Sequence, residues 1–99
     1  MGLGLFAGCG EEICKDRVLV TVKAEFREKF LAEEFSVEDF KWENVESIEY
    51  GVWYDKSSQG HLVVYLKKHG ESRVKKAIKH FKTLEFVEIA EADGPASIV

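Results

Sequence analysis

The chain is predicted to fold as an α+β domain with the element order β-α-β-β-α-β, a four-stranded antiparallel sheet with two helices on one face. Three patterns within its 99 residues lead there. Two short β-branched stretches alternate with period two, a polar loop joins a pair of strand-like segments, and one stretch near the end repeats its apolar residues with helical spacing.

In chain order, Arg17 to Lys23 reads as the first strand, with Val18, Val20 and Val22 on one side and Leu19 and Thr21 on the other. From Glu25 to Phe40, Phe26, Phe30, Leu31 and Phe35 fall near helical spacing. Ser36, followed by Val37-Glu38-Asp39, is a good helix cap with acids behind it, so one helix with a break near Ser36 is expected. Val45 to Tyr54 alternates as a second strand, Asp55 to Gly60 is the polar loop, and His61 to Lys67 is a third strand that forms a hairpin with the second. Gly70 interrupts the chain before the clearest helix. There Val74, Ala77, Ile78, Phe81 and Leu84 form an apolar stripe, and Arg73, Lys75, Lys76, Lys79 and Lys82 fill the other face. Phe86 to Glu91 is the fourth strand, Asp93-Gly94-Pro95 ends it, and Ala96 to Val99 is an extended tail. Right-handed crossovers place both helices on the same side, which is the ferredoxin-like arrangement. The expected organisation is a leader over 1–15, the domain over 16–93 and the tail over 94–99.

Composition narrows the function. A hydrophobic fraction of 45%, a charged fraction of 32% and a single proline describe a foldable domain rather than a low-complexity chain. A net charge of −4 argues against general nucleic-acid binding, which needs a positive surface. The stretch from Lys67 to Lys82 nevertheless carries seven Lys or Arg against one Glu. A solvated helix face is its default explanation, and an acidic partner or anionic surface is the functional one. His61, His69 and His80 lie outside any nucleophile motif, and no phosphate loop or zinc-protease motif occurs, so the chain is expected not to be an enzyme and to need no cofactor or metal. Lys23-Ala24-Glu25 stands where a Cys-x-x-Cys metal loop would follow the first strand. No strand carries the Arg/Lys-Gly-aromatic consensus of RNA readers with this topology.

If Val18, Val20, Val22, Leu62, Val64, Leu66, Val87 and Ile89 face the helices, then Leu19, Thr21, Val63, Tyr65 and Phe86, with Trp53 at the margin, form an apolar patch on the open face. Such a patch marks a partner surface. Its alternative occupants are the tail, the 25–40 segment or a second copy of the chain.

Leu5-Phe6-Ala7-Gly8-Cys9 resembles the end of a bacterial lipoprotein signal, in which the cysteine is lipidated. The resemblance implies an anchor at Cys9 and an extracytoplasmic location at the cell envelope; the other reading of this segment is a plain leader. Cys9 and Cys14 are close enough in sequence to oxidise together.

From Ser72-Arg73-Val74-Lys75-Lys76-Ala77-Ile78-Lys79-His80-Phe81 through Leu84-Glu85-Phe86-Val87-Glu88-Ile89-Ala90-Glu91-Ala92-Asp93, the chain resembles the propeptide domain of subtilisin-type serine proteases and its free-standing inhibitor relatives. Phe35-Ser36-Val37-Glu38-Asp39-Phe40 and Asn44-Val45-Glu46-Ser47-Ile48 are similar to small surface-protein modules of gut Firmicutes. The first resemblance implies a non-catalytic module that inhibits or chaperones a subtilisin-like protease in trans. The open sheet face would pack on two protease helices, Glu91 and Asp93 would cap their N-termini, and Ala96, Ser97, Ile98 and Val99 would lie in the active-site cleft. The sequence departs from that pattern at Gly94-Pro95 and at the β-branched terminal Val99. The alternative function is a cell-surface interaction or assembly module that uses the same face without a protease.

Overall fold

The computed structural model describes residues 14–93. Four strands, β1 (Arg17–Val22), β2 (Val45–Tyr54), β3 (Gln59–Leu66) and β4 (Val87–Ala92), form one antiparallel sheet in the order β2-β3-β1-β4. Two α-helices, α1 (Arg27–Leu31) and α2 (Glu71–Phe81), complete the predicted β-α-β-β-α-β order, and the fold is the α+β, ferredoxin-like one. Cys14 is disulfide-bonded, and its amide donates to the Asp93 carbonyl at 2.6 Å, beyond the ends of the β1–β4 ladder. The Cys9 lipidation site and the 94–99 tail lie outside the described residues.

The core follows from alternation on the two central strands. Val18, Val20 and Val22 on β1 and Leu62, Val64 and Leu66 on β3 are essentially inaccessible, and all six belong to one hydrophobic cluster. Helix α2 adds Val74, Ala77 and Phe81, spaced three and four residues apart on one stripe. Each fully buried Val, Leu or Phe of this kind contributes on the order of 1.5–3 kcal/mol of transfer free energy.

The first crossover is more broken than the predicted helix. A 3-10 turn at Ala24–Phe26 leads into α1, which ends where Glu33 adopts a left-handed conformation (φ 55°). The Glu34 amide reaches back to the Lys29 carbonyl at 3.0 Å, a Schellman-type closure. Ser36 then starts a second 3-10 turn, Val37–Phe40, through a reciprocal capping box with Asp39. The reason lies in the phenylalanine spacing. Phe30, Phe35 and Phe40 recur every five residues, and in a continuous helix each step would rotate the ring by about 140° around the axis. Breaking the helix turns all three inward, to 3%, 5% and 0% exposure. The 25–40 segment therefore packs on the helix side of the sheet and does not cover the open face. The Tyr50 hydroxyl fixes the break, accepting from the Phe35 amide at 2.8 Å and donating to the Phe35 carbonyl at 3.2 Å.

Three placements differ from the alternation expected from sequence. The β1–β4 register shifts between Thr21 and Val22, so Val22 pairs with Val87 while Thr21 pairs with Ile89. This bulge puts Glu88 and Ile89 both outside and brings Ala90 inward, so Ile89 faces solvent (44% exposed) rather than the helices. Phe86 precedes β4 and is not on the open face. It is buried among Phe26, Phe35 and Phe40, with ring centroids 4.7–6.2 Å apart. Trp53, opposite Gly60, also packs on the helix side, 5.4 Å from the Phe30 ring.

Gly60 is where these rings meet the backbone most closely. A Cβ there would sit 2.4 Å from Trp53 Cε3 and 2.8 Å from Phe30 Cε2. Both rings are held by packing, so Gly60→Ala is expected to lower stability by about 1–3 kcal/mol in urea unfolding. A loss of a few tenths would show that the rings can yield.

Candidate functional site

The face opposite the helices is built by the outward positions of the same strands. Cross-strand register lays them out in rows. Glu49 on β2 pairs with Val63 on β3, Val63 with Leu19 on β1, and Leu19 with Glu91 on β4. One row thus runs carboxylate, aliphatic, aliphatic, carboxylate across the whole sheet. The next row pairs Ser47 with Tyr65 and Tyr65 with Arg17. On the other side, His61 pairs with Thr21 and Thr21 with Ile89. Leu19, Val63, Tyr65 and His61 are partly exposed, and Thr21 forms the floor at 4%. Exposed Val52 and Tyr54 continue β2, and the Tyr54 ring meets His61 edge-on at 5.2 Å.

Polar contacts hold one end of the face rigid. Arg17 Nε donates to Asp16 Oδ1 at 2.9 Å, the Arg17 guanidinium lies 5.3 Å from the Tyr65 ring centre, and the Tyr65 hydroxyl donates to Glu49 Oε1 at 2.8 Å. A longer ion pair joins Arg17 to Asp93 at 3.7 Å, with both side chains 17% exposed. The hydrogen bond from Arg17, reinforced by its charge against the opposing effect of burial, holds the Asp16 carboxyl below its ordinary range and raises the Arg17 guanidinium in turn. Burial, then the hydrogen bond and charge of Glu49, push the Tyr65 phenol up, so it stays a neutral donor near neutral pH.

Of the residues singled out from sequence, Leu19, Thr21, Val63 and Tyr65 share this face, and Glu91 stands exposed at its β4 edge. Asp93 is half-buried and engaged by Arg17, so the two acids are not equivalent. Ala96, Ser97, Ile98, Val99 and Cys9 fall outside the described residues. Sequence reasoning missed Ile89, Glu49, Arg17 and His61 as members of the face. Glu49 and Arg17 were findable from strand pairing, whereas Ile89 depends on the bulge. His69 and His80 serve the backbone. Their Nε2 atoms lie 3.1 Å from the Leu66 carbonyl and 2.9 Å from the Phe40 carbonyl, acceptors that require a protonated nitrogen. Among the described residues no group of three or more His, Cys, Asp and Glu gathers to hold a metal ion, and no helix is long and apolar enough to cross a membrane.

The chain matches no protein-family model and no curated protein.

Because the folded pKa of Asp16 is depressed, its contribution to stability is present above the unfolded value and lost as pH falls through the folded one. The stability gap between wild type and Asp16→Asn, measured by urea unfolding, is therefore expected to narrow below about pH 4. A gap that is constant down to pH 2 would contradict the assignment.

Proposed function

We propose that this chain is a non-catalytic binding module that docks through the open face of its sheet onto a protein partner, with a subtilisin-like serine protease as that partner. The observation that supports the reading most is the row Glu49–Val63–Leu19–Glu91, an apolar centre with a carboxylate on each edge strand and no described helix packed over it. Apolar surface at the centre of such a row gains free energy by leaving water. Carboxylates at its margins suit the N-termini of partner helices, whose unpaired N–H groups and dipole favour negative charge by roughly 0.3–1 kcal/mol each at exposed sites. The propeptide resemblance calls for a face of this kind.

Glu91 takes the acidic role at the β4 edge. Asp93 instead anchors Arg17, which in turn braces Tyr65 from below. The tail over Ala96 to Val99 would reach the protease cleft, and inhibition would occur in trans. In this reading the module works outside the cytoplasm, where a disulfide such as that of Cys14 persists.

Titration of the full chain into a subtilisin-class protease, following residual activity and survival of the module, tests the proposal. Saturable inhibition is expected, weakened at least 10-fold by Val63→Lys with Ile89→Lys and by removal of residues 94–99, with unchanged circular dichroism. Degradation of the wild type without inhibition, or inhibition indifferent to the face variant, would overturn it.

A further inference from the structure

We propose that a second site, separate from the sheet face, binds a small anion carrying two or more phosphate groups in a basic groove at the start of α2. Three segments enclose this groove, which has a volume of about 930 Å³: the connection into β2, the end of β3 and the first two turns of α2. That volume lies in the range of small-molecule sites. Five cations line it, Lys41, Lys67, Lys68, Arg73 and Lys76, against the single carboxylate of Glu43.

Among the described residues none of these five takes part in an ion pair. Glu71 in the first turn of the helix does not line the groove and pairs at 3.6 Å with Lys75 one turn later. A merely solvated face would mix acids with bases, since like charges crowded into one concavity repel. Here the repulsion is left standing, in a chain whose net charge is −4. A multiply charged anion relieves it.

The walls are set before any ligand arrives. The Lys68 amide donates to Asn44 Oδ1 at 2.7 Å, Asn44 Nδ2 donates to the Lys68 carbonyl at 3.1 Å, and the Lys67 amide donates to the Asn44 carbonyl at 2.8 Å. These three bonds tie the connection into β2 to the end of β3, so the backbone of this wall needs no reordering on binding. On the helix wall, α2 begins at Gly70 without a side-chain cap, and Ser72, Arg73 and Lys76 of its first two turns line the groove. Phosphate oxygens match such a mixture of ammonium and guanidinium donors. The concave shape favours a small soluble ligand over an extended acidic chain or a membrane surface.

Inorganic triphosphate at constant ionic strength is the probe. Full-length protein labelled with 15N is expected to show saturable shifts of the Lys68, Ser72 and Arg73 amides and of the buried indole N–H of Trp42, a residue that lines the groove, with the indole signal identified by Trp42→Phe. Lys68→Glu with Arg73→Glu should weaken binding at least 10-fold, whereas Lys56→Glu with Lys79→Glu, equal in charge but outside the groove, should change it less than threefold. Thermal midpoint should rise with triphosphate for the wild type and for the control pair only. Non-saturable shifts, equal weakening by both pairs, or binding of a polyglutamate peptide or phosphatidylglycerol vesicles in place of triphosphate would overturn the proposal.

Discussion

Six phenylalanines, Phe26, Phe30, Phe35, Phe40, Phe81 and Phe86, have to be gathered on one side of a four-stranded sheet, and most of the architecture follows from how the chain meets that demand. Phe40 sits at the junction, edge-on to both Phe81 of α2 and Phe86 ahead of β4, at 5.2 and 5.3 Å. Phe35 reaches the same Phe86 ring at 4.7 Å from the broken first crossover. Rings in such geometry add about 0.5–1.5 kcal/mol per pair beyond the area they bury. The five-residue spacing of Phe30, Phe35 and Phe40 makes a regular helix incompatible with this cluster, so the crossover is split and Tyr50 secures the split. With these six rings on one side, the outward face of the sheet keeps aliphatic side chains, the rings of Tyr54, His61 and Tyr65, and charge.

How far the sequence discloses this depends on whether the deciding information is local. Alternation in β1 and β3 needs only period two, and their inward and outward sets are both readable. Helix α2 needs only its stripe, and Gly70 marks its start one residue before Glu71. The fourth strand is different. Its hydrophobic pattern, Phe86-Val87-Glu88-Ile89-Ala90, suggests that Val87 and Ile89 share a face, yet the bulge against β1 separates them. Nothing within those five residues announces the bulge, because it is set by how Val22 meets Val87 across the ladder. Phe86 follows the same logic, since its ring goes to the aromatic cluster that exists only once the crossover is folded. The candidate face was therefore legible in its centre, at Leu19, Thr21, Val63 and Tyr65, and illegible at its β4 margin.

Charge is distributed with the same division of sides. On the open face, Arg17 is bound to Asp16 and Asp93 and stacked by Tyr65, while Glu91 at the β4 edge has no ion-pair partner among the described residues. At the end of the sheet where β3 runs into α2, the five cations of the groove, Lys41, Lys67, Lys68, Arg73 and Lys76, accumulate without an ion-pair partner among the described residues. The two regions use disjoint residues.

Docking through the sheet requires the outward face to be open to solvent in the isolated protein. Solvent paramagnetic relaxation of methyl resonances, with a soluble gadolinium chelate, reads this directly. Ile89, Val52 and Val63 methyls should be attenuated strongly, while those of Val64, Leu62 and Val20 on the opposite side of the same strands remain protected. Equal protection of both sets would mean that the face is already covered, and would contradict its assignment as a docking surface.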